Sequence, residues 1–394
     1  SLAFIGIFWG VVGINLGMFQ ANLFQELPDR VMTVISNETL LAIPFFTFMG
    51  LVLERSGMAE ELLDTVGQLF GPIRGGLAYA VIFVGALLAA TTGVVSASVI
   101  AMGLISLPIM LRYGYDRRLA SGVIAASGTI TQLIPPSLVL VVLADQMGVD
   151  VGEMYKGAMG PSVVQVLLFM AFVFAVSVFR PNDVPALPLE ARTLRGWALA
   201  RRCIRGMVPS LALIFIVLGT IFAGLATATE AGAVVAGYAI VVAKLVYKNV
   251  SWRQMGVIAY DSAILTGSVV FLLAVASIFQ YLMGVSGAPK FLADVLTPLQ
   301  GHPELFLLGT AVISMLFGMI LEGLPAAVVL IPVVFPIAEQ MGINPIHFNI
   351  VQTASVGIGL FLPPMGVGLL MALKFSGLTV GQHFKTYTAY MGAL

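Results

Sequence analysis

The sequence is poor in charge and in cysteine. Its 394 residues include 19 basic and 19 acidic side chains, so 10% are charged, whereas soluble domains average about 25%. This composition excludes a soluble globular enzyme and a disordered chain, and it lacks the basic face that a nucleic-acid-binding protein needs. The single cysteine, Cys203, excludes a disulfide framework and a cysteine-built metal site.

Motifs for catalysis and nucleotide binding are also missing. The three histidines, His302, His347 and His383, are scattered and show no metal-ligand spacing. The sequence contains no Ser-His-Asp set, no HExxH motif and no GxxxxGK[ST] phosphate loop. The missing phosphate loop argues against an ATP-hydrolysing pump within this chain, so its energy should come from an ion gradient or a partner. We predict a protein that is not an enzyme, uses no organic cofactor and binds no nucleic acid.

What the sequence has in abundance is long apolar stretches. Hydrophobic residues make up 59% of the chain, and its mean hydropathy is +1.03. A helix needs about 20 apolar residues to cross a lipid bilayer, and charges within it are costly. The uncharged runs therefore predict an all-α polytopic membrane protein with ten or eleven crossings. The chain begins and ends inside apolar stretches, as expected if its ends are missing.

Basic residues cluster in three loops. The segment 180–205 contains six arginines against two acids, 112–118 contains three arginines, and Lys244, Lys248 and Arg253 form a third cluster. The positive-inside rule places such loops in the cytoplasm. We predict a basic cytoplasmic linker at 180–206 between two halves, 1–179 and 207–394.

The two halves resemble each other. Ile134-Pro135-Pro136 recurs 228 residues later as Leu362-Pro363-Pro364, and Pro108, Gly114 and Ser127 meet identical residues at the same offset. Duplicated halves with Gly- or Pro-interrupted apolar segments at matching positions are typical of secondary transporters. If 229–247 crosses the membrane completely, counting favours parallel halves, and otherwise the halves are inverted. The basic loops leave both arrangements open.

Each half contains two interrupted apolar segments. We predict re-entrant hairpins at about 86–111 and 315–338, and helices broken at their prolines at about 119–147 and 346–373. Proline removes a backbone donor and frees carbonyl oxygens, which a membrane tolerates only where these line a cavity or find another partner. Freed carbonyls with Ser and Thr hydroxyls form a neutral oxygen cage suited to Na⁺, and half-helix N-termini suit an anionic substrate. The alternative is that the prolines are simple kinks with locally satisfied hydroxyls.

Glu322 lies between two uncharged runs, at the tip of the second predicted hairpin. Its carboxylate could ligate an ion, carry a proton, or cap freed N–H groups of the next helix. The sequence leaves these three roles open.

At this point the sequence resembles the large membrane subunit, DctM-like, of tripartite ATP-independent periplasmic (TRAP) transporters. The matching motifs keep the family's order over essentially the whole chain: Leu40-Leu41-Ala42-Ile43-Pro44-Phe45-Phe46 with Gly50 and Ser56-Gly57, Gly114-Tyr115, Ile134-Pro135-Pro136-Ser137, Thr229-Glu230-Ala231, and Pro332 with Pro336. The resemblance implies two inverted structural repeats, a scaffold and an elevator-type transport core. It also implies a multi-pass protein of the bacterial inner membrane.

The resemblance further implies a Na⁺-coupled importer subunit for a small organic acid. A periplasmic substrate-binding protein would deliver the acid, and a small four-helix membrane subunit would complete the transporter. Carried over residue by residue, the implied ligands form three sets. The first sodium site comprises Gly93, Ser96, Ser98, Ser127 and Pro135. The second comprises Glu322, Gly323, Thr353, Ser355 and Pro363. The substrate would use helix ends and hydroxyls at Ser98, Thr129, Ser137 and Gly366.

Three other functions remain to be weighed. A self-sufficient Na⁺/dicarboxylate or citrate symporter would share the hairpins but need no binding protein. A gated channel would conduct continuously, which the paired broken helices argue against. An intramembrane enzyme would need a catalytic constellation that the sequence lacks.

Overall fold

The computed structural model describes residues 2–17, 21–92, 95–192, 196–287, 290–291, 294, 301–363 and 366–382, and every regular element in these ranges is helical. The all-α prediction is therefore confirmed. The α-helices are, in chain order, α1 (Leu2–Asn15), α2 (Leu27–Ile35), α3 (Ala42–Arg55), α4 (Met58–Phe70), α5 (Gly76–Thr92), α6 (Val95–Arg112), α7 (Arg117–Thr129), α8 (Leu138–Gln146), α9 (Val151–Phe179), α10 (Gly196–Phe222), α11 (Ala228–Val242), α12 (Trp252–Val285), α13 (Pro303–Gly318), α14 (Gly323–Gln340), α15 (Pro345–Gly359) and α16 (Val367–Ser376).

Fewer helices than predicted are long enough to cross a membrane alone. Among the described residues five qualify by length and apolar composition, namely α9, α10, α11 with its π-helical extension to Tyr247, α12 and α14. A sixth is added if the bent pair Phe24–Ile35 and Thr39–Arg55 counts as one span. The number of single helices long enough to span, among the described residues, is thus lower than the ten or eleven predicted crossings, because several uncharged runs form shorter apolar helices, such as α5 and α13.

Two helical hairpins occur at equivalent positions of the two halves. The first is formed by α5 and α6, and the second by α13 and α14. Adding 228 to the bounds of α6 gives 323–340, which are the bounds of α14. The first arms begin at Gly76 and Pro303, earlier than the expected 86 and 315, because the uncharged runs already begin near these residues.

Each half also contains a discontinuous helix. In the first half α7 ends at Thr129, a 3₁₀ turn covers Ile130–Gln132, and α8 begins only at Leu138. Pro135 and Pro136 lie in the gap, where they cannot supply the N–H groups that would continue the helix. In the second half α15 ends at Gly359 and α16 begins at Val367.

The hairpins pack tightly on the discontinuous helices. α13 and α15 approach so closely that a Cβ on Gly318 would lie 2.4 Å from the backbone oxygen of Val356, and one on Gly359 would lie 2.2 Å from that of Met315. Contacts also cross between the halves, because α16 packs on α6 and α7 while α14 packs on α8. The hairpins and discontinuous helices of both halves therefore form one packed unit.

A second group of helices lies beside this unit. The long helix α12 packs against α1, α2 and α3, and α3 packs in turn against α11. α10 packs against α11 and against α4. Contacts of α12 with α14, and of α3 and α4 with α5, join the two groups.

The segment after α9 is held to the base of the first hairpin by backbone hydrogen bonds. The N–H of Gly75 donates to the oxygen of Val184 at 3.0 Å, and the N–H of Asp116 donates to the oxygen of Asp183 at 3.0 Å. The third basic cluster is held to α10, because Arg205 donates to the oxygen of Val246 at 2.8 Å. The three basic segments are thus linked to one another through α10 and its preceding linker.

Candidate transport site

The first predicted ion site lies where the start of α6 meets the end of α7. A Cβ on Gly128 would lie 2.2 Å from Val99 Cγ2 and 3.8 Å from the backbone oxygen of Val95. This contact brings the first turns of α6, which carry the buried Ser98, against the end of α7. Pro135 is buried in the gap that follows. Gly93 lies outside the described residues, as does the side chain of Ser96.

Hydroxyl groups around this site donate to nearby backbone oxygens. Ser127 donates to Ile124 at 2.8 Å and Thr129 to Ala126 at 2.7 Å, both within α7. Ser127 faces α5, since a Cβ on Gly85 would lie 3.2 Å from its Oγ. A hydroxyl that uses its hydrogen in this way keeps lone pairs on its oxygen, and those lone pairs are what a cation needs.

Two carbonyl oxygens beside the double proline already have partners. Ser137, which is fully buried, donates to the oxygen of Gln132 at 2.8 Å. Ser162 on α9 donates to the oxygen of Leu133 at 2.9 Å. The backbone of the gap is therefore stabilised by hydroxyls from two directions, while each carbonyl oxygen retains a second lone pair.

The second predicted ion site is distributed over α14, α15 and the gap after α15. Glu322 is half-buried at the N-cap position of α14, where its side chain makes no capping hydrogen bond, and Gly323 is buried. Thr353 is buried in α15 and donates to Asn349 Oδ1 at 3.2 Å, while Ser355 donates to the oxygen of Val351 at 2.7 Å. Pro363 is half-buried in the gap.

Gly366, predicted as a substrate residue, closes the second gap. Its N–H donates to the oxygen of Leu362 at 3.3 Å, and a Cβ would lie 2.3 Å from the oxygen of Leu360. The oxygen of Leu360 accepts a hydrogen bond from the N–H of Leu369 at 3.2 Å. Only a residue without a side chain fits here, because the chain folds back on its own backbone.

The structure adds a polar network that the sequence analysis missed. Gln352 on α15 donates to Thr310 Oγ1 on α13 at 2.8 Å and accepts a hydrogen bond from Ser314, and all three side chains are buried. Asn349, also buried, donates to Met154 Sδ on α9 at 3.0 Å. The polar residues at 349, 352 and 353 recur at helical spacing in an apolar segment, which is the signal that could have indicated them. They fix α15 against its neighbours.

Gln132 was also missed, although it is the only amide side chain between residues 119 and 144. Its side chain lies where the two halves meet. A Cβ on Gly323 of α14 would lie 2.0 Å from Gln132 Nε2, and one on Gly357 of α15 would lie 3.6 Å from Oε1. The first discontinuous helix thus contacts both the second hairpin and the second discontinuous helix.

The site contains no basic side chain to hold an anion. The sequence has no lysine or arginine in 75–111, 119–155 or 301–373, which include the second hairpin, the first hairpin up to its last residue, Arg112, and most of both discontinuous helices. In the described ranges no three His, Cys, Asp or Glu side chains come together as a metal-binding group. The chemistry on offer is therefore neutral oxygen atoms, amide groups and helix N-termini, with Glu322 as a single acid.

Comparison with known proteins identifies the family. The family model of the DctM component of tripartite ATP-independent periplasmic transporters matches residues 2–394. The C4-dicarboxylate TRAP transporter large permease protein DctM of Pseudomonas aeruginosa is 33% identical over 375 residues, covering 94% of this chain and 86% of that protein. The isethionate TRAP transporter permease protein DctMQ of Oleidesulfovibrio alaskensis is 30% identical over 359 residues, covering 90% of this chain and 55% of that protein.

A solved structure shares the fold. The YdaH transporter of Alcanivorax borkumensis superposes with a TM-score of 0.67 at 16% identity, covering 95% of this chain and 87% of that one. The packed hairpins, the discontinuous helices and the full-length family match lead to one assignment. This chain belongs to the DctM family of transmembrane TRAP transporter large permeases.

Proposed function

We propose that this chain is the membrane permease of a Na⁺-coupled importer for a small organic acid, working in the bacterial inner membrane. The observation that carries the proposal is the pair of hairpins and discontinuous helices repeated 228 residues apart. Each pair brings hydroxyls and interrupted backbone together inside an apolar unit, which suits Na⁺ and an anionic group. Family membership supports transport, and the carboxylate as substrate class comes from the name of the Pseudomonas relative.

We infer that the two repeats are inverted in the membrane. The stretch 229–247 lies in one apolar helix long enough to cross, which is the condition under which counting favoured parallel halves. However, α12 is one continuous helix of 34 residues, so three long helices separate the linker from the second hairpin. An odd number of crossings makes the two hairpins enter from opposite faces.

The division of contacts supports an elevator-type mechanism. In this proposal the hairpins and discontinuous helices are the transport core, and α1, α2, α3, α10, α11 and α12 belong to the scaffold. The core helices contact one another across the two halves, as α6 and α16 do. A body packed in this way can move as one piece while the ions and the substrate stay bound.

The ligand sets expected from the sequence remain proposals for this site. Gly93, Ser96, Ser98 and Ser127, with backbone around Pro135, would serve the first ion, and Ser98, Thr129, Ser137 and Gly366 would serve the substrate. Glu322, Thr353 and Ser355, with backbone around Gly323 and Pro363, would serve the second. The hydrogen bonds support this proposal. The hydroxyls of Ser127 and Ser355 donate their hydrogens to backbone oxygens, so their oxygen lone pairs remain for a cation.

The proposed partners are inferred from family membership. A tripartite transporter needs a small membrane subunit and a periplasmic binding protein, and the longer DctMQ relative carries additional chain beyond the part matched here. We propose that a four-helix subunit covers part of the scaffold and that a binding protein delivers the acid. The alternative is a self-sufficient Na⁺/dicarboxylate or citrate symporter.

Uptake into proteoliposomes tests the proposal. The chain would be reconstituted alone, with a small membrane subunit, and with that subunit and a binding protein, using radiolabelled succinate and an inward Na⁺ gradient. We expect uptake only in the complete system and only with Na⁺. Uptake by the chain alone would favour the self-sufficient symporter, and uptake that ignores the Na⁺ gradient would contradict ion coupling.

A further inference from the structure

Gln132 is a buried amide without a hydrogen-bond partner in the described structure. Its side chain is 2% exposed, and neither Oε1 nor Nε2 is paired within the residues that the structure describes. Leaving a buried polar group unpaired costs about 1–3 kcal/mol, so such groups are uncommon and call for an explanation. The fold does not need an amide here, because the equivalent residue of the second half, Leu360, is a buried leucine.

The amide lies at the start of a long helix. Its Nε2 is so close to Gly323 that a Cβ on that residue would lie 2.0 Å away. Gly323 is the first residue of α14, which has 18 residues and whose N-cap, Glu322, makes no side-chain capping bond. The first-turn N–H groups of a helix have no partners within the helix, and its N-terminal end carries a partial positive charge.

These two features favour an anionic oxygen as the missing partner of Nε2. The hydrogens of Nε2 are donors, and so are the N–H groups of Gly323 and Leu324, the two residues of the first turn that precede Pro325. Nε2 comes from the first half of the chain and lies beside Gly323 of the second. A carboxylate oxygen accepts several such donors. With no lysine or arginine in 119–155 or 301–373, the donors that these segments offer to an anion include side-chain amides, hydroxyls and backbone N–H groups.

Glu322 makes this anion site dependent on a cation. Its carboxylate directly precedes Gly323, and a like charge beside a bound carboxylate is unfavourable. A Na⁺ ion at Glu322 would remove that repulsion. The amide would then bind the acid, and the acid would bind well only after the ion.

We propose that Gln132 is a substrate-binding residue, whose side-chain amide donates to a carboxylate or sulfonate oxygen of the acid at the N-terminus of α14. This inference rests on the proposed function, because it assumes that the chain binds an organic anion. It adds a specificity-determining contact, in which a residue of the first half binds the carboxylate or sulfonate that lies at the N-terminus of α14, in the second half.

Direct binding tests the inference without the partner proteins. The full chain in lipid nanodiscs would be titrated with succinate and with isethionate, with and without Na⁺, for the wild type, Gln132→Leu and Gln132→Glu. Gln68→Leu is the control, since this amide on α4 bonds Asp64 Oδ1 within its own helix at 3.2 Å and is not one of the residues of the proposed site. Melting temperatures without any acid, over a series of Na⁺ concentrations, give stability and Na⁺ affinity separately.

We expect Gln132→Leu to weaken binding of the acid at least tenfold, equivalent to about 1.4 kcal/mol. Its melting temperature should stay level or rise, because an unpaired polar group has been removed. Na⁺ affinity without acid should be unchanged. Gln132→Glu should abolish acid binding at neutral pH by adding a like charge, and Gln68→Leu should bind the acid normally.

Three results would overturn the assignment. Unchanged acid affinity in Gln132→Leu would show that the amide serves packing or an ordered water. Lost Na⁺ affinity with retained acid affinity would make Gln132 an ion ligand instead. If the wild type binds neither succinate nor isethionate at saturating Na⁺, the proposed substrate class fails and the role of Gln132 fails with it, an outcome distinct from a defect seen only in the variant.

Discussion

Gln280 on α12 donates from Nε2 to the backbone oxygen of Val328 on α14 at 3.0 Å. In an uninterrupted helix the oxygen of Val328 would accept from the N–H four residues later, but that residue is Pro332, which has none. The side chain from the neighbouring helix therefore replaces the hydrogen bond that the proline removes. Gln280 Nε2 also donates to Gln146 Oε1 at the end of α8, at 3.3 Å.

Replacing Gln280 with leucine should destabilise the chain. The fully buried Val328 would be left with an unpaired carbonyl, at a cost of about 1–3 kcal/mol. The melting temperature in detergent measures the effect. Ser277→Ala is the control, because the Ser277 hydroxyl bonds the oxygen of Ala274 in its own helix at 2.8 Å. Equal melting temperatures for Gln280→Leu and wild type would show that Gln280 does not replace the hydrogen bond that Pro332 removes.

Alanine at Gly359 should be far more damaging than alanine at Gly309. A Cβ on Gly359 would meet the backbone oxygen of Met315 at 2.2 Å, and backbone cannot rotate away as a side chain does. Overpacking of this kind costs about 1–3 kcal/mol or more. A Cβ on Gly309, in α13, would have no described atom within 4 Å, so alanine there should stabilise the helix by about 0.5–1 kcal/mol. Thermal unfolding of both variants checks the opposite signs.

Replacing Pro135-Pro136 with Ala-Ala should weaken the response to Na⁺. The new N–H groups can close helical bonds to backbone oxygens in the gap, including that of Gln132, and withdraw them from an ion. Stability should stay level or rise, since a proline costs about 3 kcal/mol inside a helix. Pro161→Ala, inside the uninterrupted helix α9, is the matched control. Normal Na⁺ half-saturation of transport in the double variant would leave only a structural role for the prolines.

Tyr115→Phe should loosen the base of the first hairpin. The buried Tyr115 hydroxyl accepts a hydrogen bond from the N–H of Leu77 at 3.1 Å, near the start of α5, and burial raises the pKa of Tyr115 to about 12. Losing this acceptor should cost about 1–3 kcal/mol. Because the raised pKa keeps the hydroxyl protonated, the difference in melting temperature from wild type should be constant from about pH 6 to about pH 9. Tyr113→Phe, which retains the ring beside the Arg112 guanidinium, should have little effect on the melting temperature.

Much of the architecture could be predicted from the sequence because helix breakers act locally. The double prolines indicated both discontinuous helices, and the 228-residue offset between them also relates α6 to α14. The lengths of the individual helices were harder to predict, because an uncharged run does not show where one helix ends and the next begins. Thr91, Thr92 and their small neighbours in the sequence favour a break in this run, but the same residue types can also pack within a straight helix.

The details of the site could not be predicted because they depend on contacts between the halves. Nothing near Gln132 in the sequence says that its amide meets Gly323, which is 191 positions away. The hydroxyl of Ser162 was likewise not expected to bond the oxygen of Leu133, because it lies on another helix. Local rules identify which backbone groups are freed, and only the tertiary structure identifies what pairs with them.

Main-chain hydrogen bonds fix the path of the segment after α9. Its bonds join Gly75 to Val184, Asp116 to Asp183, and Leu187 to Gly71, and all use backbone donors and acceptors. Substitutions of the exposed side chains in 180–187 can therefore accumulate over evolution without moving the segment. Val184 and Leu187 are buried, and a proline at Leu187 would also delete a donor. A segment whose exposed side chains vary among relatives would still keep one fixed position beside the base of the first hairpin.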